Sequence, residues 1–267
     1  MRVSPPTGEN RARSTRENTA ITETTSSPLI IGHRGAAGHA PENSRAAFAA
    51  AVRMGVDAVD FDVQFSADGW PVVLHDETLL RMAGVGVRVT DYPESALKGF
   101  DIGFLHGDRW RGLRLPSVAE VARMVPAECE LHVELKDYRP AGPEQLRRLF
   151  DVLQRHGGLD RVVVSSPHEE QLTEVAGIRP EVRKALLLFR SVKVPIDAAR
   201  RAALLGCTAV NPNADLVDEE LTSVCHRNGM KVYAFTVNER GTMRRLETIG
   251  VDGFFTDYPD RLRGVAS

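Results

Sequence analysis

His33-Arg34-Gly35 closes the apolar run Leu29-Ile30-Ile31-Gly32, and Pro41-Glu42-Asn43 follows shortly after it. Further along stand Asp60-Phe61-Asp62-Val63, then Val72-Val73-Leu74-His75-Asp76, then Leu131-His132-Val133-Glu134-Leu135-Lys136. Each is a short apolar run that carries or ends in ionisable side chains. Imidazole titrates near neutral pH, so His33 and His75 can each take up a proton and return it. Asp60, Asp62 and Glu134 bring carboxylates and no thiolate, a hard oxygen set suited to Mg2+ or Ca2+ and poorly suited to copper or a structural zinc. Histidines and carboxylates in this setting are the ingredients of a metal-assisted hydrolase.

Such groups need elements that aim them at one point. Apolar or alternating runs lie at Leu29–His33, Ala58–Gln64, Glu130–Leu135, Arg161–Ser165, Lys184–Leu188, Ala209–Asn211, Lys231–Thr236 and Gly253–Thr256. Helical patterns separate them, at Ser44–Met54, Ser117–Met124, Pro143–His156, His168–Ala176, Asp197–Leu205, Asp218–Asn228 and Glu239–Ile249. Eight strands alternating with helices predict an α/β fold of the closed (β/α)8 TIM-barrel kind rather than an open doubly wound sheet. Ser44 and Ser117 stand as N-caps, the latter with Glu120 in a capping box.

In a barrel of this type the chemistry sits at the carboxyl ends of the strands. His33 ends the first run, Asp60 and Asp62 lie late in the second, Glu134 and Lys136 late in the third, and His75 ends a short extended segment after the second. Strand side chains alternate, so Asp60 and Asp62 share one side, as do Glu134 and Lys136. The stretch from Asp76 to Leu115 breaks the rhythm, with Gly84, Gly86, Gly99, Gly103, Gly107 and Gly112 among Phe100, Phe104 and Trp110.

A chain of 267 residues suits one large α/β domain. Lys and Arg number 34 against 36 Asp and Glu, so no global field draws nucleic acid or an anionic membrane. Cys129, Cys207 and Cys225 are odd in number and lack CxxC spacing, which argues for packed free thiols. Residues 1–27 are polar, with neither a secretory core nor a spanning segment. They read as a disordered tail on a cytoplasmic protein whose catalytic domain occupies residues 28–267.

In order and spacing these blocks resemble the glycerophosphodiester phosphodiesterase family, from about Leu29 to Leu262. Leu115-Pro116-Ser117, Val232-Tyr233-Ala234-Phe235-Thr236-Val237-Asn238, Gly250-Val251-Asp252-Gly253 and Thr256-Asp257-Tyr258-Pro259 extend the match. The resemblance implies hydrolysis of glycerophosphodiesters to sn-glycerol 3-phosphate and an alcohol, within glycerophospholipid and glycerol metabolism. It makes Asp60, Asp62 and Glu134 the ligands of a divalent metal, and His33 and His75 the acid and base in unassigned order. A glycerol hydroxyl would attack phosphorus, and water would then open the cyclic phosphate. Arg34 and Lys136 would neutralise phosphate oxygens, Glu42 would support this substrate-binding set by hydrogen bonding, and Asn43 and Gly35 would shape the loop.

The resemblance also makes the segment at about 76–115 a lid over the barrel mouth. Two positions depart from the family. Asp60 stands where Glu is usual, withdrawing an oxygen by roughly an ångström, more than functional sites tolerate; a shifted metal, an added water or a larger ion such as Ca2+ would compensate, and the alternative is a weakened site. Phe235 stands where Trp is frequent and keeps a smaller wall.

Plainer or different readings stand beside these. Lys136 could pair with Glu134 or Asp137 as an ordinary salt bridge. His106, His156, His168 and His226 read as ordinary residues, while His39 and His132 are open. A lysophospholipase D-like enzyme would use Phe100, Phe104, Leu105 and Trp110 as an apolar groove in the lid. A catalytically silent phosphate-ester binding barrel is the alternative outside catalysis. The partner is a small-molecule phosphodiester in either enzyme reading, since no nucleic-acid binding pattern is present.

Overall fold

The computed structural model describes Met1 and residues 27–136 and 140–262. The tail read at residues 1–27 therefore falls, apart from its two end residues, outside the described residues, and so does Asp137. In chain order the elements are β1 (Leu29–Gly32), α1 (Arg45–Arg53), β2 (Ala58–Phe65), β3 (Pro71–Val73), α2 (Leu80–Ala83), α3 (Glu94–Leu97), α4 (Val118–Met124) and β4 (Glu130–Leu135). There follow α5 (Pro143–His156), β5 (Val162–Ser166), α6 (Glu169–Ile178), β6 (Arg183–Leu188), α7 (Pro195–Leu204), β7 (Ala209–Pro212), α8 (Glu219–Arg227), β8 (Lys231–Ala234), α9 (Arg240–Ile249), β9 (Gly253–Thr256) and α10 (Pro259–Leu262).

β1 pairs with both β2 and β9, which closes the parallel strands β1, β2 and β4 to β9 into an eight-stranded barrel with helices outside. The fold is a (β/α)8 barrel. β3 is an addition to the eight strands expected: it runs antiparallel to β2, Val63 opposite Val73, and carries the chain up to His75.

Alternation along the strands sorts the core. Val59, Phe61 and Val63 of β2 and Leu131, Val133 and Leu135 of β4 point outward into the apolar layer beneath the helices. Ile31, Ala58, Val163, Ala185, Ala209, Tyr233 and Phe255 fill the barrel interior. Full burial of a large apolar side chain contributes about 1.5–3 kcal/mol, so this outward set pins each strand's register. Asp60 and Asp62 must then face inward, and both are buried. The three alanines inside leave space for the His132 ring, which stands edge-on to Tyr233 and Phe255 at 5.5 Å.

Helix starts follow the side chains expected. Ser44 accepts the Ala47 N–H at 3.1 Å, and Ser117 with Glu120 completes a capping box, each worth about 1 kcal/mol. Cys129, Cys207 and Cys225 are buried free thiols. Burial pushes the last two up to about 11 and about 12, so they stay protonated. No helix among the described residues is long and apolar enough to cross a membrane.

Candidate active site

Residue Gly35 makes the first loop possible. Its φ is +83°, and a Cβ there would lie 2.6 Å from the Ala47 carbonyl carbon of α1. The turn drives Arg34 into the left-handed region at φ 52°, and Asn43 adopts φ 53°. Such backbone is costly for a non-glycine residue and persists where its surroundings hold it. Here the Arg34 carbonyl accepts the Asn43 N–H at 3.0 Å, and the Arg34 N–H donates to Asp60 Oδ2 at 3.3 Å. The Asn43 amide donates to Asp62 Oδ2 at 2.7 Å. One loop thus fixes both aspartates of β2.

Register does the rest. Asp60 lies beside His132 and Asp62 beside Glu134, which lies beside Ser165 of β5. The cleft at the carboxyl ends of the strands is lined by His33, Arg34, Asp60, His75, Glu134, Lys136, Ser165, Asn213 and Thr236 on its polar side. Leu187, Phe189, Phe235 and Phe255 form its apolar wall, with Phe189 and Phe235 edge to face at 5.9 Å. His33, Arg34, Asp60, His75, Glu134, Lys136 and Phe235 therefore meet at one place, with Asp62 completely buried at its edge.

Other residues singled out in the sequence lie outside this cleft. Glu42 lies beside it, in an adjoining cleft with His33, Arg34 and Asp257, and its two oxygens accept from Arg34 and Arg81. No residue of the segment from Glu77 to Leu115 lines it either. That segment folds around its own small core of Leu74, Leu79, Met82, Val89, Leu97, Ile102 and Leu115, with Phe100 packed against it. Its aromatic side chains pack locally or face solvent, and the wall comes from the ends of β6, β8 and β9, with Phe235 where the sequence expected it. His132 belongs to the interior beneath the cleft, where Nε2 faces Glu130 at 3.1 Å.

Each candidate histidine presents Nδ1 to a carboxylate, leaving Nε2 for chemistry. His33 Nδ1 is 2.8 Å from Asp257 Oδ1, and Asn238 donates to the other Asp257 oxygen at 2.7 Å. His75 Nδ1 is 2.6 Å from Asp76 Oδ1. Their environments then diverge. Burial of His33 opposes protonation, yet the Asp257 hydrogen bond and the charges of Asp60 and Asp257 outweigh burial and Arg34, so its pKa is raised. Burial of His75, with Arg34 and Lys136 nearby, outweighs Asp62 and Asp76, so its pKa is lowered.

The carboxylates are split in the same way. Burial and the neighbouring Asp62 push Asp60 up to about 6 against the pull of His33, His132 and Arg34. Burial and both aspartates push Glu134 up to about 7, against Lys136. For Asp62, burial acts upward, but Arg34, Lys136, His75 and the Asn43 hydrogen bond hold it at about 2.

Lys136 is the ion-pair partner of Glu134 at 2.5 Å and lies 3.5 Å from Asp62. The plainer reading of Lys136 is thus part of the geometry, on a buried pair rather than an exposed one. Among the described residues no three His, Cys, Asp or Glu side chains form a closed metal-coordinating group. The donor chemistry nevertheless suits a divalent cation: the buried Asp62 Oδ1 accepts no hydrogen bond and meets only Lys136 Nζ at 3.5 Å, and Asp60 and Glu134 are carboxylates whose ionisation the site resists until positive charge arrives.

Sequence reasoning did not assign Asp257, Asn238, Asp76 or Arg81. Asp76 adjoins His75 in the chain and could have been weighed; nothing local connects residue 33 to residue 257.

Comparison with known proteins settles the family. The profile of the Glycerophosphoryl diester phosphodiesterase family matches residues 33–261. The chain belongs to this family. It is 31% identical over 235 residues to a glycerophosphodiester phosphodiesterase of Caldanaerobacter subterraneus subsp. tengcongensis, covering 88% of this chain and 96% of that one. A Bacillus altitudinis glycerophosphodiester phosphodiesterase is 32% identical over 238 residues, 87% of this chain and 95% of the other.

Among solved structures, an Oleispira antarctica phosphodiesterase in complex with its product sn-glycerol-3-phosphate superposes with a TM-score of 0.81 at 28% identity. It covers 88% of this chain and 95% of that one. The Agrobacterium tumefaciens glycerophosphodiester phosphodiesterase gives a TM-score of 0.75 at 25% identity, over 87% and 97% of the two chains. This protein is therefore an enzyme, a phosphodiester hydrolase.

Proposed function

We propose that the enzyme hydrolyses glycerophosphodiesters to sn-glycerol 3-phosphate and an alcohol, with His33 as general acid and His75 as general base. The observation that carries the assignment is the opposed environment of the two imidazoles, each anchored through Nδ1. His75, kept neutral, takes the proton of the attacking glycerol hydroxyl at Nε2. His33, kept protonated by Asp257, gives its proton to the departing alkoxide as the bond from phosphorus to that oxygen breaks. In the second step the roles reverse, with water opening the cyclic phosphate. Positioned acid and base groups of this kind contribute about 10²–10⁴-fold each.

Asp60, Asp62 and Glu134 are the residues that would hold Mg2+ or Ca2+, and bound there the ion would offset charge developing on the phosphate oxygens. Arg34 and Lys136 on the cleft wall donate N–H groups to those oxygens. The site lies in one catalytic domain running from residue 28.

The test uses protein stripped by chelator and given glycerophosphocholine, glycerophosphoethanolamine or glycerophosphoglycerol, with Mg2+ or Ca2+ restored separately. Release of glycerol 3-phosphate that needs the ion and disappears in His33→Ala is expected. No release with any diester and either ion would favour lysolipid substrates or a binding protein without turnover. The apolar wall of Leu187, Phe189, Phe235 and Phe255 favours a second reading, lysophospholipid hydrolysis, and rates that climb with acyl-chain length would support it.

A further inference from the structure

Arg81 lies in α2, inside the segment whose aromatic residues stay out of the cleft, and it reaches back to the site. Its Nη1 and Nη2 grip Glu42 Oε2 and Oε1 at 2.7 and 2.8 Å. Its Nε and Nη2 grip Asp76 Oδ2 and Oδ1 at 2.7 and 3.0 Å. One guanidinium therefore binds two carboxylates, and each carboxylate holds one of the groups assigned to the reaction. Glu42 accepts from Arg34 Nη1 at 2.8 Å, and Asp76 faces His75 Nδ1 at 2.6 Å.

We propose that Arg81 is a positioning residue that locks the phosphate-facing Arg34 and the base His75 into one rigid unit, and that this brace is what the segment after β3 contributes to catalysis.

Geometry sets the requirement for arginine. Four donated bonds to two carboxylates need a planar fork with donors on both edges, which lysine lacks. Exposed ion pairs are individually worth little, but this one has half-buried acceptors and a pair of partners, the arrangement in which geometry rather than charge matters. Without Arg81, Glu42 carries only Arg34 and is free to swing that guanidinium off the cleft. Asp76 likewise keeps only His75, and neither carboxylate is held against the other. Both acids are held below their ordinary values: burial acts upward on each, and Arg81 outweighs it together with Arg34 at Glu42 and with His75 at Asp76.

This inference rests on the roles proposed above for Arg34 and His75, and the experiment separates the two. Glycerol 3-phosphate release by wild type, His75→Ala, Arg81→Ala, Arg81→Lys, Glu42→Gln and the Arg81→Ala/Glu42→Gln double variant is followed with melting temperature and circular dichroism. Arg81→Ala is expected to lose on the order of 10–100-fold in kcat, the range typical of groups that orient a functional side chain. Arg81→Lys is expected to recover little, and the double variant to fall no further than the worse single one. Guanidinium ion added at millimolar concentration should restore part of the Arg81→Ala rate. Arg88→Ala, whose side chain pairs with Glu77 on the surface, is the control and should match wild type.

If Arg81→Ala keeps its kcat within twofold and only melts earlier, or if its effect adds fully to that of Glu42→Gln, the brace is refuted. Should Arg81→Ala not fold, Arg81→Lys carries the same decision. Full activity in His75→Ala would instead overturn the assignment of the base, and with it this proposal.

Discussion

His33 and Asp257 lie 224 positions apart in the chain and 2.8 Å apart in space, Nδ1 to Oδ1. The barrel brings them together because β1 and β9 are neighbours in register, Gly32 beside Thr256, so the residue after each strand emerges at the same rim. Asn238, from the loop after β8, holds the far oxygen of Asp257 and the Asp257 N–H at 2.7 and 2.9 Å. The carboxylate cannot turn away.

That relationship predicts the behaviour of Asp257→Asn. A raised pKa keeps His33 protonated to higher pH, so the alkaline limb of the kcat profile should mark its deprotonation. Removing the charge of Asp257 should move that limb to lower pH and cost about a hundredfold in kcat. A profile of glycerol 3-phosphate release against pH checks both; an unmoved alkaline limb would assign the acid elsewhere.

Metal-free stability should depend on pH in an unusual direction. Asp60 and Glu134 sit at about 6 and about 7 in the folded chain, above the 3.8 and 4.5 ordinary for these side chains. The native state then binds more protons than the unfolded state across that window, so these two groups contribute stability at low pH that is lost as pH rises towards 7. Protein in chelator should melt several degrees lower at pH 7.5 than at pH 5. Mg2+ or Ca2+ should raise the melting temperature more at pH 7.5, where protons no longer compete for the carboxylates. Differential scanning fluorimetry over both series reads the outcome.

Substitution Gly35→Ala should destabilise by about 2 kcal/mol or more, because it combines a positive φ with a Cβ contact at 2.6 Å on α1 backbone that cannot yield. Urea unfolding measures it. The same change displaces Arg34, so activity should fall in the fraction that remains folded.

Truncating the apolar wall tests what it meets. Phe235→Ala removes the edge-to-face contact with Phe189, and aromatic pairs of this type are worth about 0.5–1.5 kcal/mol. If the wall packs against substrate, KM for glycerophosphodiesters should rise roughly twofold to tenfold with kcat little changed. A larger loss for lysophospholipids than for glycerophosphocholine would show that the wall serves an acyl chain.

Much of the architecture was legible in residue order. Outward Val59, Phe61 and Val63 alternate with inward Asp60 and Asp62, and that period of two places the acids inside the barrel before any coordinate is known. Gly35, Ser44 and the Ser117 and Glu120 box likewise announce a turn and two helix starts from side-chain chemistry that acts within a few residues. The blocks around His33, Asp60, His75 and Glu134 read as a metal-assisted hydrolase, and their order and spacing resemble the family to which the chain belongs.

Tertiary structure alone decided the partners of those residues. Asp257 and Asn238 reach His33 only because the barrel closes, and Arg81 reaches Glu42 only because the segment after β3 folds back on its own core. It also decided which aromatic residues join Phe235 in the wall, giving that place to Phe189 and Phe255. The physical reason is one of range. Periodicity, turn chemistry and capping are local and are written in consecutive residues, whereas a hydrogen bond across more than two hundred residues exists only once long-range packing has brought its two ends together.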